Sequence, residues 1–255
     1  MKKTSKVISI ILTAFMLMQM MTGIVFAANK TKFSTPTSVR LVYDDSYEEY
    51  VYKVSVNVPS GVSDLDYGMC VGGIVNGKAI LSNPNNYTSY EPEFIKEDVN
   101  SAFEEWKTEM NISNCKMLIG FCVISNDDNY SSSDILVVDE NAVIQNVGAA
   151  TGGKCDGGAF WTYSNGTLTF FGNGIAEDPG SFDINIDDVE TIIFESGISK
   201  YDNNYRGFYD YPCLKSIYIN NKNFDTENSI FREATHHIAV FAPNDSTVHT
   251  AIENT

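Results

Sequence analysis

Positive charge is scarce in this chain: 17 Lys and Arg stand against 33 Asp and Glu, a formal net charge of −16 over 255 residues. Nucleic-acid binding needs a basic face that neutralises phosphates, so this balance argues against it, and against adsorption to an anionic membrane surface. Proline (7) and glycine (18) are too few for a proline-rich or collagen-like chain. Histidine is confined to His236, His237 and His249, and the adjacent pair would point to opposite sides of a strand, which makes a poor shared metal site. There is no CxxC, HExxH or comparable Cys/His spacing, so neither a metal nor another cofactor is expected. The five cysteines are an odd number, which rules out a dense disulfide framework and leaves at least one thiol unpaired in a monomer. Beyond residue 27 no run is long and apolar enough to cross a bilayer.

What is present is enough apolar material for a packed core, 43% hydrophobic and 12% aromatic residues, so disorder is not expected. Residues 1–27 have three parts: Lys2, Lys3 and Lys6, an apolar run from Val7 to about Met21, and Val25-Phe26-Ala27 before Ala28. Small residues in the final positions and Gly23 breaking the run favour a cleaved secretory signal peptide over a retained membrane anchor. The expected product is secreted or associated with the cell surface. Cleavage would take away basic residues and no acidic ones, making the mature chain more acidic still.

Residues 28–147 read as strands bounded by turns. Val39, Leu41 and Tyr43 alternate with more polar neighbours, as do Tyr52, Val54, Val56 and Val58 before Pro59. Asn76-Gly77 between apolar arms is the strongest short hairpin signal. In Asp98–Met110, Val99, Ala102, Phe103, Trp106 and Met110 recur at helical intervals behind Asp98 as a cap. Cys115–Ser125 reads as a long strand, which puts Cys115 and Cys122 about 23 Å apart at roughly 3.3 Å per residue. A Cys70–Cys122 or a Cys155–Cys213 bridge stays open, against five buried thiols. A hairpin around Asp139-Glu140-Asn141 ends this half. Its expected fold is a β-sandwich with one helix, with a mixed α+β sheet as the alternative. Residues 148–153, Gly-Ala-Ala-Thr-Gly-Gly, carry no bulky side chain and are expected to be a flexible joint.

The period then changes. The apolar segments around Leu168, Ile192, Ile217 and Ile238 stack at offsets of 24, 25 and 21 residues, within the range of leucine-rich repeats. Each unit would add a strand that cannot bury its apolar face alone, so stacking supplies the stability and the expected fold of 154–255 is a short β-solenoid. Gly153-Lys154-Cys155, Phe160-Trp161 and Asn165-Gly166-Thr167-Leu168-Thr169-Phe170-Phe171-Gly172-Asn173-Gly174 resemble the N-terminal cap of the BspA-type leucine-rich repeat proteins, secreted or displayed by bacteria. Val189–Phe194, Gly197-Ile198 and Phe208 through Ile217 resemble their repeat, and Phe241–Thr247 their terminal unit. Tyr211 stands where the repeat usually has Cys, with Cys213 two residues later, and the stretch from Gly197 to Phe208 is about two residues longer. Residues 30–147 resemble, in strand pattern rather than motif, fibronectin type III-like modules of similar surface proteins. The resemblance implies extracellular binding or adhesion.

Catalytic constellations are thin. Cys155-Asp156 has no base placed beside it, and the Asp127-Asp128-Asn129 loop has Ser132 and Val138 where a calcium loop needs Gly and Glu. Aromatics are more suggestive: Tyr201, Tyr205, Phe208, Tyr209 and Tyr211 crowd into eleven residues. Thr169, Ile193, Tyr218 and Ala239 take the outward position of the stacked strands. The candidate binding residues are Ile193, Tyr218, Tyr205, Tyr209 and Tyr211, on the reasoning that Tyr combines a flat apolar body with a polar tip. The expected function is non-catalytic binding of an extracellular protein or glycan. The alternatives are an accessory module or hydrolase acting on extracellular glycans, and a structural spacer or assembly module.

Overall fold

A computed structural model describes residues 30–62, 65–84, 91–125, 130–148, 150–155, 157–177, 179, 184–202, 208, 211–226 and 237–248. The signal segment and the 127–129 loop lie outside these residues. The fold is mainly β. Its elements are β1 (Thr31–Lys32), β2 (Ser38–Asp44), β3 (Glu49–Ser55), β4 (Leu65–Val75), β5 (Lys78–Leu81), β6 (Glu93–Ile95), the helix α1 (Lys96–Met110), β7 (Met117–Ser125), β8 (Tyr130–Ser131) and β9 (Leu136–Val138). There follow β10 (Ala150–Lys154), β11 (Ala159–Ser164), β12 (Thr167–Gly172), β13 (Gly174–Glu177), β14 (Thr191–Phe194), β15 (Ile198–Asp202), β16 (Ser216–Ile219) and β17 (Ala239–Phe241). One ten-stranded sheet runs in the order β17-β16-β14-β12-β11-β10-β5-β4-β7-β9, beside a three-stranded sheet β2-β3-β6 and two-stranded pairs β1-β8 and β13-β15.

Local chemistry sets the turns. Asn76 and Gly77 both have positive φ, 49° and 82°, and close the β4–β5 hairpin with Val75 opposite Lys78. Asn165-Gly166, at 48° and 74°, closes β11–β12 with the same chemistry. The helix starts two residues before the expected cap: Ile95 is the N-cap, and Asp98 lies with Glu97 in the first turn, where acidic groups offset the helix dipole. Val99, Phe103, Trp106 and Met110 form its buried stripe, and Asn111 in the left-handed conformation ends it.

The stretch 148–153 is not a joint from Ala150 onward. It becomes β10, paired antiparallel with β11 and parallel with β5, so one sheet carries both halves of the chain. The small residues serve close approach: a Cβ on Gly152 would sit 2.4 Å from the Trp161 carbonyl oxygen and 2.8 Å from Ile80 Cγ2.

Register partners project to the same face of a sheet. By this rule Ile80, Gly152, Thr162, Thr169 and Ile193 share one face, and Leu81, Gly153, Trp161, Phe170 and Phe194 the other. The larger cores of the two halves lie on opposite faces, while the first half also buries Cys70, Leu81, Leu118 and Val137 on the Phe170 side. In the first half α1 and the three-stranded sheet cover the Ile80 face, packing Val99, Phe103 and Trp106 with Val71, Ile119 and Phe121. In the second half the core lies on the Phe170 face, where Leu168, Ile192 and Ile217 stack and Phe170, Phe194, Tyr201, Phe208 and Phe224 form an aromatic cluster.

The parallel stack follows the expected register for three strands: Leu168 pairs with Ile192 and Ile192 with Ile217. The fourth differs, since Ile217 pairs with Val240 rather than Ile238. A two-residue slip keeps the same face inward, because side chains alternate with period two, so the apolar pattern alone does not distinguish the two registers. A second parallel ladder, β13–β15, adds the bridge Lys200 to Asp225.

Candidate functional site

The two-residue slip decides what stands on the open face. Thr169, Ile193, Tyr218 and Phe241 form one row across β12, β14, β16 and β17, so Phe241 takes the place expected for Ala239. The Tyr218 and Phe241 rings stack at 4.6 Å between centroids with planes 10° apart. That separation is the spacing between neighbouring strands, about 4.8 Å, so the parallel ladder itself holds the rings face to face. They are 38% and 49% exposed, whereas Phe170, Phe194, Tyr201, Phe208, Tyr211 and Phe224 fill the core of this half. The neighbouring row, Thr167, Thr191, Ser216 and Ala239, is of short side chains, with Thr191 and Ser216 hydroxyls 3.0 Å apart. The rings therefore stand above a low, polar floor. Burying such a ring against a partner is worth roughly 1.5–3 kcal/mol.

Of the expected binding residues, Ile193 and Tyr218 are brought together in this row, Ile193 half-buried. Tyr211 is not at the surface: it is fully buried in the aromatic core, where its N–H donates to the Phe208 carbonyl and it cannot meet an external ligand. Tyr205 and Tyr209 lie outside the described residues. Phe241 is the residue that sequence reasoning missed. The available signal was the terminal unit beginning at Phe241, which competes with the Ile238 alignment for the fourth strand.

Elsewhere the described residues carry little chemistry. Among them, no group of three or more His, Cys, Asp or Glu is arranged to hold a metal ion. His237 is exposed, and His236 and His249 fall outside the described residues. No disulfide joins any two of the five cysteines. Cys70 and Cys122 lie diagonally across β4 and β7, beside Gly120 and Gly68, and burial pushes both thiols up, Cys122 to about 11. Such thiols stay protonated and are weak nucleophiles. Cys155 is also buried, its Sγ 3.8 Å from the Glu177 carbonyl oxygen. No described helix is long and apolar enough to cross a membrane.

Compared with protein-family models, curated proteins and solved structures, the chain matches none of them, so its function is argued from the geometry of the row ending in Tyr218 and Phe241.

Proposed function

We propose that this is a secreted, non-catalytic binding protein in which a short leucine-rich-repeat-like solenoid follows a β-sandwich-like first half. Its recognition face is the row Thr169, Ile193, Tyr218 and Phe241, and its partner is an extracellular protein or glycan. The observation that carries this reading is the stacked, solvent-facing Tyr218–Phe241 pair. Rings left exposed forgo the burial that Phe170, Phe194 and Phe224 have, and a rigid aromatic surface offers large contact area at little entropic cost. The 24- and 25-residue register of the stack and the three-part N-terminal segment support the solenoid and the secreted state respectively.

The test is a binding panel of extracellular-matrix proteins, cell-wall polymers and glycans presented to the mature chain. A saturable partner is expected, with affinity falling at least tenfold in Tyr218→Ala and in Phe241→Ala while the melting temperature stays put. Binding that survives both substitutions, or no saturable partner in the panel, would overturn the reading.

A further inference from the structure

The β2–β3 hairpin is longer than the cover on its inner face. Register places Val39 opposite Val54, Leu41 opposite Tyr52 and Tyr43 opposite Tyr50, all on one side. The first two pairs pack into the core with α1. The third continues the same row past the core, and Tyr43 and Tyr50 are each 54% exposed. β6 pairs with β3 at Lys53, Tyr52 and Val51 and then passes into α1 at Lys96, so this ladder stops short of Tyr50. A cleft of about 570 Å³ lies between the hairpin end and the start of the helix, lined by Tyr43, Tyr50, Glu48 and Glu49 on one side and by Lys96 and Glu97 on the other.

The two rings meet at 5.5 Å between centroids with their planes 78° apart. Rings set at right angles make a corner in which one guest can lie against the face of both. Aromatic faces carry the negative part of the ring quadrupole and attract cations placed over them. The carboxylates of Glu48, Glu49 and Glu97 stand around this corner against the one ammonium of Lys96. The N-terminus of α1 adds roughly half a positive charge, which does not reverse the balance. On the outer face of the hairpin Asp44 and Glu93 already hold Lys53, at 2.7 and 2.9 Å, whereas Glu48, Glu49 and Glu97 are in no ion pair among the described residues.

We propose that this corner captures an arginine side chain of a basic protein segment, at a site separate from the Tyr218–Phe241 row and independent of it. An anion meets a net negative rim, and a neutral guest leaves the unpaired carboxylates without a role. A guanidinium uses both features: its plane stacks on a tyrosine ring while its N–H groups reach carboxylates. A lysine ammonium is a compact, strongly hydrated point charge that gains less from two flat walls. The excess of acidic residues over the whole chain, a net charge of −16, favours the approach of such a segment.

A fluorescein-labelled hexapeptide of alternating Gly and Arg, and its Gly/Lys counterpart, are titrated with the full chain at about 0.15 M salt, where distant charges are screened. Anisotropy should rise saturably with the Arg peptide and bind the Lys peptide more weakly. Tyr43→Leu and Tyr50→Leu should each weaken the Arg peptide about fivefold, the worth of one exposed cation–π contact, while Tyr43→Phe and Tyr50→Phe keep the ring and the affinity. Both tyrosines lie outside the core, so the melting temperatures of these variants should match the wild type. Tyr218→Ala should leave the titration unchanged, which separates the fate of this site from that of the exposed row. No saturable binding of the Arg peptide overturns the proposal. So does equal binding of the Lys peptide, or wild-type affinity in both Leu variants, which would mean a general attraction to an acidic chain.

Discussion

The two halves of the molecule share one sheet and use it in opposite ways. From β4 to β9 the strands are antiparallel, and α1 with β2-β3-β6 covers the Ile80 face. From β12 to β17 the strands are parallel, the core moves to the Phe170 face, and beyond Phe171, which is buried with the first core, the continuation of the Ile80 face is open. Each segment must bury an apolar face against another layer, and here the antiparallel and parallel segments have their larger cores on different sides. The change of side leaves one long face that is core at one end and surface at the other. Tyr218 and Phe241 stand at its far end. The exposed row is a consequence of where the sheet loses its cover.

Halves that share one sheet should unfold together. Phe194 sits at the centre of the second core, against Phe170, Tyr201 and Phe224, and Phe194→Ala should cost about 3–5 kcal/mol. With a shared sheet the loss should lower a single calorimetric transition, whereas two separated transitions would mean that the halves are independent after all. Gly152→Ala tests the seam itself. A new Cβ would meet the Trp161 backbone oxygen, which cannot rotate away, so about 3 kcal/mol is expected, the upper end of overpacking penalties. A change below 1 kcal/mol would restore the flexible joint.

That seam also marks where sequence reading stopped. Asn76-Gly77 was legible because a two-residue hairpin turn depends on local φ alone, and Leu168, Ile192 and Ile217 were legible because a parallel stack repeats its apolar residues at a nearly fixed offset. The run Gly148–Gly153 was not, because small residues look alike in a loose joint and in a strand packed against an indole. Only the places that Trp161 and Ile80 take in the fold decide between them, and those are tertiary facts. The exposed row was half legible: Tyr218 follows from alternation, while Phe241 required the fourth strand's register, on which alternation is silent. Tyr211 went wrong for a related reason, since a tyrosine beside charged neighbours has the same composition whether it faces solvent or core.

Alkaline titration separates the halves by a smaller amount. Tyr52, fully buried in the first half with its hydroxyl donating to the Glu140 carbonyl at 2.9 Å, has its phenol pushed up to about 12, chiefly by burial and then by the charges of Glu140 and Asp139. A folded-state value above the ordinary 10 means that the native state holds its proton longer than the unfolded chain. Its contribution is fully present below pH 10 and is lost as pH rises through 12, on the order of 2 kcal/mol. Urea unfolding at pH 9 and pH 11.5 should show this loss in the wild type and a clearly smaller one in Tyr52→Phe. Equal losses in both would place the alkaline sensitivity elsewhere.

The smallest expected effect is the most discriminating for function. Tyr218 and Phe241 touch each other outside the core, so Tyr218→Ala should change stability by no more than about 0.5 kcal/mol, as exposed substitutions usually do. An exposed stacked pair contributes about 0.5–1.5 kcal/mol at most in double-mutant cycles, and the edge strand that holds Phe241 is short, so the cycle Tyr218→Ala with Phe241→Ala should show coupling at the low end of that range. A loss above 2 kcal/mol would mean that the rings hold β17 onto the stack and are exposed for structural reasons. A near-zero loss leaves the folded protein no reason of its own to keep two aromatic rings in water, and makes contact with a partner the remaining reason for their exposure.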